Sequence, residues 1–425
     1  MAVPVRDPDW SSLVARHGSP LLVLDCGVLG AQYRALADAL PGVRLHYAIK
    51  ALPEVAAIES LAQQGAHFEI ASEGEIDLLR AAGVGPRRTI HTHPIKRPRD
   101  VVAALRFGVT TFVVDNAHEI DKMVAFRDRA EFLLRVSFRS PDARCDLSRK
   151  FGCQPGDVEG LLARAAKSGV RIEGLCFHVG SQSATPDAHV HAIDACNAMI
   201  RAHAEAGGRR LAVLDIGGGF PVSYDGNAPS IGEFCAPIRR ALSRLPAGTS
   251  VFAEPGRFLA APAMTGLSTV IGKAERSGIP WYFLDDGVYG SFSGRIYDHT
   301  SYPITVARRG PTRASVLAGP TCDSIDVVAE EIALPELEIG DLVVAKMMGA
   351  YTSASATRFN SLPTTKILVL NRPSRTVRPA RSTYGDGLGS WRRSGSVRID
   401  PGSPGRHTRQ RPSPQRARSK RTSTR

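Results

Sequence analysis

The sequence predicts an α/β protein: a (β/α)8 barrel, a mostly antiparallel β domain, and a disordered basic C-terminal tail. Three observations carry this reading. From about residue 44, short β-rich runs alternate with amphipathic helical runs, and eight such units fit into roughly 220 residues, as a closed parallel barrel requires. After about residue 264 the helical period fades, and β-rich runs bounded by Gly and Pro follow one another. From residue 372 onward apolar periodicity stops. A doubly wound open sheet is the alternative that the alternation alone leaves open.

The expected barrel strands are 44–49, 67–71, 89–92, 111–114, 131–137, 171–178, 211–215 and 250–254. Between them lie helical patterns such as 158–167, apolar at Val158, Leu161, Leu162 and Ala165, and 188–206. The later β runs include 279–284, 313–317 and 341–346. The early run 21–24 precedes the barrel and goes with the β domain. The expected division is therefore a barrel over 26–263, a β domain from 1–25 and 264–371, and a tail over 372–425.

Composition narrows the class. Of 425 residues, 43% are hydrophobic and 22% charged, the balance of a soluble globular protein. No run approaches the ~20 apolar residues of a membrane span. The opening Met1–Asp9 has neither an apolar core nor a cleavage site, so the expected location is the cytoplasm and no membrane partner is expected. Seven scattered cysteines form no C-x-x-C pair, which argues against a disulfide framework or a zinc knuckle. The formal net charge of +13 suggests nucleic acid until its position is read. Residues 372–425 hold 15 Lys and Arg against 2 Asp and Glu, so the first 371 residues are formally neutral. Nucleic-acid binding is therefore not expected beyond weak polyanion contacts of the tail.

In a β/α barrel, functional groups sit at the C-terminal ends of the strands. Those positions here hold Lys50, Glu69 with Ser72, His93, Asp115, Arg135, His178, Gly217-Gly218-Gly219, and Glu254 with Arg257. A lysine at a strand end is commonly a surface residue whose stem covers apolar neighbours. In this company it is a candidate for a Schiff base with an aldehyde cofactor, a role served by a desolvated lysine of lowered pKa. Three glycines in a row make a tight turn; after the seventh strand they also suit a phosphate, because backbone N–H groups can approach it closely. A carboxylate at Glu254 can keep a pyridine nitrogen protonated, while Glu and Arg three apart otherwise form an ion pair. His178 can stack on a flat ring or simply complete the core. His91 and His93 alternate on one strand, but no third ligand has suitable spacing, and no metal is expected.

These segments resemble the fold type III (alanine racemase-like) decarboxylases that use pyridoxal 5'-phosphate (PLP), and within them the ornithine decarboxylase group. The matching motifs are Tyr47-Ala-Ile-Lys50, Phe68-Glu-Ile-Ala-Ser-Glu-Gly-Glu75, Leu147-Ser-Arg-Lys-Phe-Gly152, Phe177-His-Val-Gly-Ser181, Asp215-Ile-Gly-Gly-Gly-Phe-Pro221 and Glu254-Pro-Gly-Arg257. Further on come Asp286-Gly-Val-Tyr-Gly-Ser-Phe292, Tyr297-Asp-His299, Gly319-Pro-Thr-Cys-Asp323 and Gly349-Ala-Tyr351. They stand in family order from about residue 20 to 371, and the tail lies outside the match.

The resemblance implies a role for each position. Lys50 would carry the cofactor, His178 would stack on its ring, and Glu254 would pair with its nitrogen. Ser181, Gly218, Gly219, Arg257 and Tyr351 would bind its phosphate, with Arg135 nearby. Cys322 would return a proton to Cα as a general acid. Asp298 and Asp323 would bind the distal ammonium of a basic amino acid. Cys322 and Asp323 would reach the partner subunit's site, which implies a homodimer. The implied reaction is conversion of L-ornithine to putrescine and CO2, with lysine as a second substrate. Rivals are decarboxylation of lysine, arginine or diaminopimelate, an amino-acid racemase, and a non-catalytic regulatory homologue. Such homologues lose the lysine or the cysteine, and this chain keeps both. Asp323 after Cys322, where diaminopimelate enzymes carry Glu, speaks against diaminopimelate. Two departures stand out: Glu69 where many relatives have Asp, and Gln182 where others have Gly.

Overall fold

The computed structural model describes residues 7–139, 143–145 and 148–374. Eight parallel strands close into a barrel in chain order: Arg44–Ala48, His67–Ile70, Thr89–His91, Thr111–Val114, Glu131–Arg135, Ile172–Cys176, Val213–Asp215 and Ser250–Ala253. The last pairs with the first through Phe252 opposite Arg44, which excludes the open sheet. All eight expected strands are present. Several stop one or two residues short of the apolar run, because the chain bends into the loops at the barrel mouth.

The register fixes which side chains face inward. In a parallel pair, opposed residues share a face, and along a strand the faces alternate. Glu69 lies opposite Ala48 and Ile90, Leu133 opposite Val113, Arg135 opposite Cys176, and Asp215 opposite Cys176 and Phe252. One inward layer is thus Ile90, Val113, Leu133, Cys176, Val213 and Phe252, a separate buried apolar cluster. The outward set, including Phe68, Phe112, Phe132, Leu134, Leu175 and Leu214, packs against the surrounding helices. The apolar inner layer is the floor on which the polar mouth stands.

The β domain is a single eight-stranded sheet. Its long strand Met264–Arg276 pairs antiparallel with Leu21–Asp25, Ile279–Leu284 and Leu342–Ala345. Leu21–Asp25 also pairs in parallel with Lys366–Leu370, so both ends of the described chain meet in this sheet. Five of the seven pairings are antiparallel, the exceptions being that one and Ile279–Leu284 with Arg313–Ala318. The domain docks on the barrel mouth, where the Tyr351 N–H donates to the Ala51 carbonyl at 2.9 Å. Of the expected tail, Arg372 pairs with Glu59 at 2.7 Å and the Ser374 carbonyl accepts from Gln63. Residues 375–425 lie outside the described residues. Among those described, no helix is long and apolar enough to cross a membrane.

Candidate active site

Inward alternation carries polar side chains to the mouth one step above the apolar floor. Lys50, Glu69, Thr92, Arg135, His178, Glu254 and Arg257 all line one cavity of about 320 Å3. Lys50 stands just past the first strand, in the short turn Ile49–Ala51. Its Nζ donates to Glu69 Oε2 at 2.7 Å, while Thr92 Oγ1 holds Glu69 Oε1 at 2.6 Å. Glu69 is 2% exposed and Lys50 44%, so a buried acid anchors an amine that still opens to the cavity. Removal from bulk water disfavours the ammonium, but Glu69, with Tyr351 and Glu254, outweighs it and holds Lys50 above the ordinary lysine range. This corrects the expected lowering: the amine keeps its proton until something displaces Glu69 or takes its charge. It is the carboxylate of Glu69, at the end of the longer side chain, that meets the lysine.

Across the mouth, Glu254 follows the eighth strand. Burial, then the neighbouring Asp215 and Glu69 carboxyls, push its pKa well above the carboxylate range. Asp215 lies beside Glu254, accepts the Gly217 N–H at 2.9 Å, and is pushed by burial up to about 6. A carboxyl pair buried together keeps one proton, because two unscreened negative charges are costly side by side. His178 is partly buried, and its Nδ1 accepts the Gly180 N–H at 3.0 Å. Burial and the Arg135 charge push its pKa well below the imidazole range, so the ring is neutral. Arg135 itself stacks over Phe151 at 5.4 Å.

The glycine turn closes the opposite wall. A Cβ on Gly218 would stand 2.8 Å from the Glu254 carbonyl, and one on Gly219 2.8 Å from that of Gly180. Both contacts are closer than any side chain tolerates. Among the described residues no protein acceptor takes the N–H of Gly218 or Gly219. Arg257, 5% exposed, donates to Ser181 at 3.0 Å, to the Tyr224 hydroxyl at 3.1 Å and to Asp298 at 2.6 Å, and lies 4.9 Å from the Tyr351 ring centre. Its acid is therefore Asp298, not Glu254.

Residues 27–261 match the family model for the pyridoxal-dependent decarboxylase pyridoxal-binding domain. A lysine/ornithine decarboxylase of Selenomonas ruminantium is 39% identical over 84% of this chain and 91% of its own. The chain belongs to the pyridoxal-dependent decarboxylases. Within them it falls in the ornithine decarboxylase group, and it is an amino-acid decarboxylase whose cofactor is PLP. Structures of a Vibrio vulnificus lysine/ornithine decarboxylase, complexed with putrescine and with cadaverine, are 48% identical with TM-scores of 0.81 and 0.82; they cover 85% of this chain and 97% and 95% of theirs. An arginine decarboxylase of Paramecium bursaria Chlorella virus, bound to agmatine, is 29% identical with a TM-score of 0.80 over 85% of this chain and 99% of its own.

The residues of this decarboxylase fit PLP on their own terms. An amine opens to the cavity, a glycine turn with two unclaimed N–H groups can take a phosphate, and a proton-rich acid pair can face a ring nitrogen. Two expected residues stand apart. Cys322 is exposed, its thiol 3.3 Å from Asn360 Oδ1, and Asp323 accepts from the Tyr289 hydroxyl; neither lines the cavity. Asp298 does line it. Sequence reasoning missed Thr92 and Tyr224 as direct partners of Glu69 and Arg257. Asp215 stands only within a motif in that reading, although its place at the end of the seventh strand, the kind of position that singles out Glu254 on the eighth, was a usable signal. Among the described residues no three His, Cys, Asp or Glu side chains gather as a metal site would need.

Proposed function

We propose that this enzyme decarboxylates a small basic L-amino acid, ornithine first and lysine second, releasing CO2 and putrescine or cadaverine. The carrying observation is Asp298, an acid in the cavity wall held by Arg257, where a side chain ending in an ammonium needs a carboxylate. The lysine/ornithine decarboxylases named above support the same substrate class. Bound PLP supplies an electron sink for the pair left at Cα when the carboxylate departs.

Every other part of the reading falls to side chains of this chain. Lys50 Nζ would hold the cofactor covalently, and Glu69, which accepts from it at 2.7 Å, is placed to receive and return its ammonium proton. Glu254, with Asp215 beside it, would pair with the cofactor's ring nitrogen, its raised pKa leaving a proton to share, and the neutral His178 would help to hold the ring. Ser181, Gly218, Gly219, Arg257 and Tyr351 hold the phosphate, and Arg135 lines the same mouth. Cys322 delivers a proton to Cα, and Asp323 joins Asp298 at the distal ammonium. Since both stand outside the cavity of their own chain, the reading requires a homodimer in which each subunit completes its partner's site. The exposed apolar residues Ile325, Phe359 and Leu362 near them support a covered face there. Cys26, Cys153, Cys176, Cys196, Cys235 and Cys322 are free thiols, which suits work in the reducing cytoplasm.

A CO2-release assay on ornithine, lysine, arginine and diaminopimelate tests the substrate. Ornithine and lysine are expected to lead, within about a hundred-fold of each other, since one methylene shifts preference by ~1–3 kcal/mol. A preference for diaminopimelate would overturn the reading.

A further inference from the structure

The glycine turn is held by its neighbours, two of which, Ser183 and His189, do not line the cavity. All three of its carbonyls are engaged: Gly217 O accepts from the Glu254 N–H at 2.7 Å, Gly219 O from the Ser183 N–H at 3.1 Å, and Gly218 O from His189 Nε2 at 3.0 Å. His189 lies on the helix Asp187–Glu205, is fully buried, and stacks on Phe220 with ring centres 5.3 Å apart. Next along the chain, Gln182 brackets Val222 with both ends of its amide, donating to the carbonyl at 2.9 Å and accepting from the N–H at 2.8 Å. Gln182 does this at φ 57°, a left-handed conformation that glycine adopts more readily. The two Val222 bonds offset that strain.

In a trans peptide the carbonyl and the following N–H point opposite ways. A Gly218 carbonyl drawn into the core toward His189 therefore turns the Gly219 N–H away from the core, to the side where Gly219 lines the cavity. We propose that His189, with Gln182 beside it, is a positioning residue that sets the Gly217–Gly219 turn to receive the cofactor's phosphate. The role rests on the cofactor reading above but not on the identity of the substrate. To donate from Nε2, His189 must carry a proton there, and burial, which pushes its pKa down to about 4, keeps the ring neutral, so that proton is its only one. Among the described residues Nδ1 has no partner, so within them the one polar contact of this ring is the bond to Gly218. An apolar aromatic would fill the same space against Phe220 and Phe234 without it.

The test compares binding of PLP and of pyridoxal, which lacks the phosphate, to cofactor-depleted full-length protein. His189→Phe keeps the stack and removes the donor, while His189→Gln can restore a donor near the Nε2 position. Leaving the Gly218 carbonyl unpartnered is expected to weaken PLP about ten-fold in His189→Phe and to leave pyridoxal within about two-fold. His189→Gln is expected to recover most of the PLP affinity. The proposal fails if His189→Phe binds PLP as wild type does, or if it loses PLP and pyridoxal equally, as general loosening would produce. Should His189→Phe not fold, Gln182→Ala takes its place: about three-fold weaker PLP with unchanged pyridoxal supports the strap, and unchanged PLP overturns it. Neither readout involves amino-acid turnover, so a wrong substrate assignment would leave the result standing.

Discussion

At the barrel mouth, each group that would hold the cofactor is already clamped by its own chain. Glu69 fixes Lys50, Asp215 backs Glu254, and Asp298, Ser181 and Tyr224 hold three donors of Arg257. At the exposed corner of the β domain the opposite holds. Cys322 touches Asn360, Asp323 touches Tyr289, the Tyr289 ring stacks on Phe359 at 4.3 Å, and none of them lines the cavity. The first region is preorganised and buried, as electrostatic stabilisation requires. The second is a set of reactive groups with nothing of their own to act on. On the proposed reading, one chain builds the cofactor site and supplies the proton donor for another.

The sharpest test of this contrast is Lys50→Ala. It is expected to lower decarboxylation by about a thousand-fold or more and to remove the absorbance of lysine-bound cofactor. A variant that kept both would break the first half of the comparison. Next in size is Asp298→Asn, which leaves Arg257 without its acid and the substrate without a counter-charge. KM for ornithine should rise about thirty-fold or more, with a smaller change in kcat, as judged by initial-rate kinetics. An unchanged KM would move the ammonium site elsewhere.

The second half of the comparison is tested by mixing. Lys50→Ala and Cys322→Ala proteins, each nearly inactive, are combined and allowed to exchange subunits. In a random mixture half the dimers are hybrids, each with one intact shared site, so activity should return to about a quarter of wild type. If each site were built from one chain, mixing would restore nothing. The smallest effect concerns Glu75, which accepts the Ala71 N–H near Glu69. Burial and then the Glu69 charge raise its pKa from 4.5 to about 7. A carboxyl with a raised folded pKa stabilises the fold at low pH, and that contribution is lost as pH climbs from about 4.5 to about 7. Glu75→Gln should therefore flatten the decline of stability over that window by one proton, measured as urea midpoints at pH 5, 6 and 7. Parallel curves would mean that Glu75 is ionised in the fold.

Much of this was legible beforehand. The strand at Thr111–Val114 and the helix at Val158–Lys167 match the sequence reading to the residue, because the first is an unbroken β-prone apolar run and the second keeps its period of 3.6 without interruption. The run 171–178 was read too long, since Phe177 is apolar yet already belongs to the loop that delivers His178. The strand ends nevertheless delivered the site, because alternation alone decides that Glu69, Arg135 and Glu254 face inward. What could not be read is pairing across the chain. Nothing local in Arg257 says that its acid is Asp298, 41 residues on, and a histidine among apolar residues on a helix looks the same whether or not it grips a glycine turn. Lys50 shows the same limit in its chemistry. Its place was evident, but the direction of its pKa depends on a buried partner 19 residues away.

The sheet that joins Leu21–Asp25 to Met264–Arg276 and Lys366–Leu370 has a consequence in time. During synthesis the first of these strands leaves the ribosome before the entire barrel, and its partners leave after it. It waits through the whole barrel with its edges unpaired, a loop closure that is made late. A nascent chain can close the barrel that holds Lys50 and Glu254 while Cys322 is still being translated, and Tyr351, which also lines the cavity, comes later still. The order of birth therefore puts the barrel's share of the cofactor cradle first and the β domain's share last.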